Sequence, residues 1–333
     1  MAENGRLKTI LIVTDNTRDQ INGVVTTFKS IEKYAREDGY EIIYLDPSQF
    51  ASIPAPFYPE VRLSLPTRIG SKIESINPDH VHIATEGPLG LAAKLWLERK
   101  HQTYNTSYHT KYPDFLHKLY GIPQSLSYLY LRWFHKHAGV VLTTTDTMVK
   151  ELKENRFTSK VVSWTRGVDR SIFFDREIRS KQVTLLYVGR VSKEKNLEAF
   201  CELDFPNANK IIVGDGPYLS TLEARYPSVS FVGSKRPEEL GYYYSLADVF
   251  VFPSKADTFG IVMIESMACG TPVAAYPVTG PIDVIDHNST GFMHEDLSCA
   301  IEMCLRLKRR DVQRKSLKWS WQECWNIFRD NLK

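Results

Sequence analysis

Short apolar runs alternate along the chain with longer segments of helical periodicity. KTILIVT (8–14), EIIYLD (41–46), PDHVHIA (78–84), TYNTSYHTKYPDF (103–115), GVVLTTT (139–145) and KVVSWT (160–165) predict six strands. Helices are expected between them, one from about Gly23 and one opened by Gly87 and Pro88, and a proline-rich loop is expected from Pro47 to Pro66. After Arg166-Gly167-Val168-Asp169 the alternation starts again, with VTLLYVGR (183–190), NKIIVGDGP (209–217), VSFVGS (229–234), DVFVFPS (248–254), TPVAAYP (271–277) and a short segment at GFMHE. Strands alternating with helices describe a parallel sheet wound on both faces. Two such sets, with a boundary near residues 166–182, predict an α/β protein of two doubly wound, Rossmann-like domains facing each other across a cleft. The domains are 1–166 and 167–315, followed by a terminal helical stretch, 316–333, in which Trp321 and Trp325 share one face. Ligands of such sheets lie beyond the carboxyl ends of the strands, so the cleft is the expected site.

The segment KADTFGIVMIESMACGTPVAA (255–275) concentrates the candidate chemistry. A strand ending at Pro253 delivers the chain to a loop, and a helix opens near Phe259 and closes at Gly270 and Pro272. Unpaired N–H groups at such a helix start favour an anion. Asp257 stands before it and Glu265 lies inside it, with roughly 10 Å of helix rise between them. That span suits a nucleotide-diphosphate sugar, with one acid for each end. Arg190 closes one strand and Lys195 begins the next helix, so both cations are expected at the same sheet edge, where they would neutralise a diphosphate. His109, in the loop SYHTKYPD of the first domain, faces the site across the cleft in this arrangement. His135 and His137 point different ways on a helix, and His80 and His82 share a strand face without a third ligand.

Composition narrows the class without choosing the reaction. The 333 residues are 43% apolar and 24% charged with a net charge of +3, which argues neither for nucleic acid nor for a membrane. Five scattered cysteines, Cys201, Cys269, Cys299, Cys304 and Cys324, form no C-x-x-C pair, so a reduced, cytoplasmic enzyme is expected. The sequence has no run of apolar residues long enough to span a membrane and no P-loop or G-x-S-x-G motif. No Asp-x-Asp pair suggests a metal–nucleotide site, and neither a metal nor another cofactor is expected.

Taken together, GRVSKEKN, VGDGP, ADVFVFPS and DTFGIVMIESMACGTPVAA resemble, in order and spacing, glycosyltransferase family 4, retaining enzymes of the GT-B fold. The INGV loop, PDHVHIATEGPLG, SYHTKYP, RGVD, TGPIDVI and STGF extend the likeness over nearly the whole chain. The branch it most resembles is that of glycolipid-forming α-mannosyl- and sulfoquinovosyl-type transferases. The resemblance implies that Arg190 and Lys195 hold the donor diphosphate, and that Glu265 binds the ribose as the second acid of the family's paired-acid signature. Asp257 occupies the position of the first acid, which contacts the donor sugar; much of the family has the longer Glu there. Thr258, Phe259 and Gly260 match the loop whose backbone faces the sugar and phosphates, and Gly23, preceded by Asn22 where a second glycine is usual, matches the N-terminal phosphate loop. His109 matches the histidine near the transferred sugar, and Val232 to Lys235 match where the base is held. Retention, independence from metal and a terminal helix packing back on the first domain come with the family.

These expectations describe transfer of a hexose from a UDP- or GDP-sugar to an acceptor hydroxyl. The acceptor is a lipid or a glycan, with a nucleic acid still open, and the basic aromatic segments 129–139 and 305–321 are candidates for peripheral contact with the inner face of a membrane. The competing readings are a non-catalytic nucleotide-sugar-binding protein and a nucleotide-sugar epimerase.

Overall fold

The alternation of strands and helices is realised in the computed structural model, which describes residues 6–20, 23–55 and 58–333. The chain divides into two units, one formed by Met1–Thr165 with Trp321–Lys333 and the other by Arg166–Ser320.

In the first unit the strands are β1 (Lys8–Val13), β2 (Tyr40–Leu45), β3 (Ser52–Ala55), β4 (Tyr58–Ser64), β5 (His80–Ile83), β6 (Asn105–Tyr108), β7 (Val140–Thr143) and β8 (Lys160–Ser163). Six of them form a parallel sheet in the order β2-β1-β5-β6-β7-β8. Its central strands are apolar on both faces because helices cover both: Ile10, Leu11, Ile12, Val13, Val140, Val141 and Leu142 are fully buried. The order reverses between β1 and β5, which makes the carboxyl ends of these two strands the place for a ligand.

Two stretches differ from the sequence reading. The proline-rich loop contains a hairpin, β3 against β4. Proline lacks an N–H, but a two-stranded hairpin leaves one edge of each strand unpaired, so Pro54 and Pro59 are tolerated there. The fourth expected strand ends at Tyr108, and Tyr112–Tyr120 is a helix that Pro113 enters in its first turn, where no N–H is needed.

The C-terminal helix Trp321–Asp330 packs within this first unit against the helix Gly23–Glu37. Trp325 is fully buried and its indole N–H donates to Asp38 Oδ2 at 2.7 Å, which Arg329 also approaches at 2.6 Å. The Trp164 indole donates to the Cys324 carbonyl at 2.8 Å, so two large aromatics are buried with their polar ends satisfied.

In the second unit β9 (Thr184–Val188), β10 (Asn209–Val213), β11 (Ser230–Phe231), β12 (Val249–Phe252), β13 (Val273–Ala275) and β14 (Gly291–Met293) form a parallel sheet in the order β11-β10-β9-β12-β13-β14. Counted within the unit this is the doubly wound 3-2-1-4-5-6 order, whose switch point lies between β9 and β12. Apolar layers cover both faces, one centred on Met263, Ile264 and Met267 and the other on Leu197, Phe200 and Ile301. No described helix is long and apolar enough to cross a membrane.

Candidate active site

The second unit's switch point gathers most of the candidate residues. β9 ends at Val188, two residues before Arg190, so Arg190 is the exposed first polar residue beyond the strand rather than its end. The Arg190 carbonyl accepts from the buried Tyr187 hydroxyl at 3.0 Å. Lys195 lies in a short 3-10 turn, Lys193–Lys195, ahead of the helix Leu197–Cys201 rather than inside it. Asn196 turns the chain in the left-handed conformation (φ 56°), and its amide reaches the Pro253 carbonyl at 3.1 Å, tying this turn to the end of β12.

The Lys195 ammonium donates to Asp257 Oδ1 at 2.6 Å, and each side chain is about a quarter exposed (23% and 22%). Asp257 Oδ2 is buried with no hydrogen-bond partner among the described residues. A cation is thus oriented by one oxygen of an acid whose other oxygen is left to an incoming donor. Gly260 (φ 83°) turns the chain into the helix Ile261–Ala268, two residues later than the sequence suggested. Phe259, the expected first helical residue, instead buries its side chain against Trp319, with ring centroids 5.3 Å apart. Gly260 supplies no side-chain cap; the Met263 N–H donates to the Gly260 carbonyl at 3.0 Å, which leaves the Ile261 and Val262 N–H groups at the helix mouth.

Glu265 stands one turn into that helix, half-buried, and its Oε2 accepts from the buried Tyr244 hydroxyl at 2.9 Å. Burial pushes the Glu265 carboxyl up to about 7, against a smaller opposing effect of the Tyr244 hydrogen bond. The turn after β10 completes this edge. A Cβ on Gly214 would lie 1.9 Å from the Gly189 carbonyl, and one on Gly216 would lie 2.4 Å from the Val191 carbonyl. The glycines of VGDGP thus let this turn pack on the backbone that carries Arg190. Lys235 is half-buried beyond β11.

The structure therefore brings Arg190, Lys195, Lys235, Asp257, Thr258, Phe259, Gly260 and Glu265 into one unit, on the loops after β9, β11 and β12 and the helix that follows. Gly23 and His109 belong to the first unit. Gly23 is the first residue of its helix, and Asn22 lies outside the described residues. His109 follows β6 and packs against Phe28 and Trp164, at ring distances of 6.5 and 5.9 Å.

Two acids that the sequence reading passed over sit at the first unit's own switch point. Asp15, beyond β1, accepts from the Leu89 N–H at 2.8 Å and the Thr85 hydroxyl at 2.7 Å, capping the helix Pro88–Arg99. Its carboxyl is raised, chiefly by burial. Glu86, beyond β5, is 8% exposed and lies 3.2 Å from His135 Nε2. Burial raises the Glu86 carboxyl too. The available signal was an acid within three residues of a strand end at a reversal of strand order. Of the strand histidines, His82 is fully buried against Ser107 at 2.6 Å, and His80 lies 3.0 Å from the Lys333 carbonyl. Among the described residues no group of three His, Cys, Asp or Glu side chains is placed to hold a metal ion.

Two family models match the chain. The model described as Glycosyltransferase Family 4 covers residues 21–172, and that described as Glycosyl transferases group 1 covers residues 168–299. The sulfoquinovosyl transferase SQD2 of Arabidopsis thaliana is 29% identical over 81% of this chain, which spans 60% of that protein's length. The alpha-monoglucosyldiacylglycerol synthase of Streptococcus pneumoniae is 28% identical over 80% of this chain and 70% of its own. Among solved structures, sucrose-phosphate synthase from Thermosynechococcus elongatus superposes with a TM-score of 0.79 at 18% identity, over 97% of this chain and 98% of its own. That likeness shows the fold, GT-B, with two Rossmann-like halves.

Proposed function

Because the chain belongs to glycosyltransferase family 4, we propose that it is a retaining hexosyltransferase, moving a hexose from a UDP- or GDP-sugar to an acceptor hydroxyl without a metal ion. The observation that carries this reading is the Lys195–Asp257 pair, 2.6 Å apart beside an uncapped helix start at a topological switch point. A diphosphate over that helix start meets Arg190, the Lys195 ammonium and the N–H groups of Ile261 and Val262. Glu265 takes the ribose hydroxyls, the segment ending at Lys235 holds the base, and Asp257 Oδ2 accepts from a donor-sugar hydroxyl.

In the transfer step the bond from the sugar C1 to the phosphate oxygen breaks and its electron pair stays on the phosphate. The cations and helix N–H groups stabilise that growing charge without reorganising, an effect worth about 3 kcal/mol per well-placed donor. The acceptor oxygen bonds to C1 on the face the phosphate leaves, so configuration is retained, and the acceptor proton passes to the departing phosphate. His109 positions or stabilises the sugar as C1 becomes electron-poor, and Gly23 lies by the phosphates. A lipid acceptor fits the name of the diacylglycerol-glycosylating relative. A cytoplasmic enzyme at the inner face of a membrane follows from the same reading.

Incubation with UDP- and GDP-sugars, with release of nucleoside diphosphate followed over time, tests the proposal. Lys195→Ala is expected to lower turnover by about 100-fold or more with little change in melting temperature, because the pair it breaks is partly exposed. Donor binding without release, with or without acceptor alcohols, would identify a binding protein, and interconversion of the sugar nucleotides an epimerase.

A further inference from the structure

The first unit contains a cavity of about 360 Å³ that the donor chemistry does not use. Its walls are largely apolar, formed by Leu116, Ile122 and Leu126 among others, and the polar-ended side chains in its lining are Glu86, Ser127, Tyr112 and Tyr130. Ser127 is 7% exposed and its hydroxyl is buried with no hydrogen-bond partner among the described residues. An unsatisfied buried hydroxyl costs about 1–3 kcal/mol, and a ligand that bonds to it would offset that cost. Glu86 is fixed from behind: its Oε1 lies 3.2 Å from His135 Nε2, His135 Nδ1 lies 2.7 Å from the Thr106 hydroxyl, and the Tyr130 hydroxyl donates to the Glu86 carbonyl at 2.7 Å. At the mouth Leu126 and Tyr130 remain 57% and 38% exposed, and Leu129 and Trp133 continue the apolar surface along the same helix, Gln124–His135.

We propose that this cavity holds the aliphatic chain of a neutral acceptor alcohol, with Glu86 accepting from and Ser127 bonding to a hydroxyl at the polar end. The inference rests on the transfer reading and names the acceptor class for it. Three features select this occupant. The volume equals about a dozen water-sized groups at roughly 30 Å³ each, enough for one medium chain, and lies at the small end of ligand pockets. The polar groups in its lining are too few to partner a sugar's many hydroxyls. Among the described residues the lining contains no Lys or Arg side chain, so a phosphate or sulfate headgroup meets no counter-charge beside the Glu86 carboxyl, leaving a hydroxyl as the complementary group.

The test is calorimetric titration of the full chain with 1-O-alkylglycerols of increasing chain length, each below its micelle concentration and without nucleotide sugar. Affinity should rise by about fourfold per methylene, the equivalent of about 0.8 kcal/mol, until the cavity is full and then level off. Alkyl sulfates of equal length should bind more weakly. Ser127→Leu, which fills the cavity, and Leu126→Asp, which places a charge at its exposed mouth, should each flatten the series. Equal affinity for glycerol and its long-chain ethers, or a series that both variants leave intact, would overturn the proposal, as would oligosaccharides competing for the site. UDP and GDP binding, measured on the same samples, reports separately on the donor site, so loss of one reading is distinguishable from loss of the other.

Discussion

Replacing Glu265 by glutamine isolates a single buried charge whose energetic consequence follows from its surroundings. The carboxyl titrates at about 7 in the folded protein, against 4.5 for the ordinary side chain, because burial penalises the charged form. Between these values the native state keeps a proton that the unfolded chain has lost. Stability therefore falls as pH rises through this window and is level above it. At about 1.4 kcal/mol per unit the full loss is about 3.5 kcal/mol, of which about 2.5 kcal/mol falls between pH 5 and pH 8. Glutamine has the same shape, and its carbonyl still accepts from Tyr244, but it has no charge to bury.

Thermal melts of both proteins at pH 5, 6, 7 and 8 measure the effect, because every other titration is common to the two and cancels. The variant's melting advantage should grow by about 5–10 °C from pH 5 to pH 8 for a unit of this size. A difference between the two that does not change with pH would refute the argument. The same substitution should weaken UDP and GDP binding about 10- to 100-fold, the loss of charge-assisted hydrogen bonds to the ribose. Stability and affinity moving in opposite directions is the signature of a group retained for its ligand.

Three further outcomes follow from the packing. Trp325→Ala should cost the first unit about 3–5 kcal/mol in chemical denaturation, because the indole is fully buried and bonded to Asp38. His82 is held neutral by burial, its pKa lowered to about 3, so the folded state resists a proton that the unfolded chain accepts below about 6.5. Stability is then complete above that pH and is lost as pH falls towards 3; His82→Leu should flatten this acid limb in melts from pH 7 to pH 4, with a pH-independent offset from the unpaired Ser107 hydroxyl. Gly214→Ala would place a methyl 1.9 Å from the Gly189 carbonyl at φ 147°, and should displace the turn and lower both the melting temperature and UDP affinity; an alanine variant that melts and binds like the parent would show that this close approach is not required.

What was legible in the sequence depended on how local its cause is. The strands β9, β10 and β12 announce themselves as apolar runs closed by Gly or Pro, so the restart of the fold after Arg166 could be read directly. The helix after β6 was less visible because Pro113 reads as a terminator of strand and helix alike, and only its place in the first turn makes it an initiator. The surroundings of the acids were not visible. Glu265 takes its elevated proton affinity from burial and its hydrogen bond from Tyr244, 21 residues away, and Asp15 bonds to Thr85, 70 residues away. Such pairings follow from strand order, which a list of strands does not contain. The same holds for Glu86 and His135, separated by 49 residues and joined only when β5, β6 and the helix Gln124–His135 assemble.

The second unit pays for its site in one place. Its sheet and both covering layers are packed largely from buried apolar side chains, and three of the departures from that rule cluster at the carboxyl edge and on the helix rising from it. Asp257 leaves one buried oxygen without a partner among the described residues, an acid half-buried one helical turn further on holds its proton to about 7, and an uncapped helix start lies between them. In a protein held together only by its core each of these would be a cost of about 1–3 kcal/mol with no return. On the proposed reading each would be relieved by a different part of one molecule: a sugar hydroxyl donating to Asp257, ribose hydroxyls stabilising the ionised Glu265, and a diphosphate taking the helix N–H groups and the Lys195 charge. The order of these groups along the chain matches the order of parts in a nucleotide-diphosphate sugar, so on that reading one ligand would satisfy all three at once. Saturation with UDP or GDP should therefore stabilise the wild-type protein more at pH 8, where the Glu265 charge is the larger burden, than Glu265→Gln under the same conditions; equal stabilisation of the two would break the link between the strained edge and the donor.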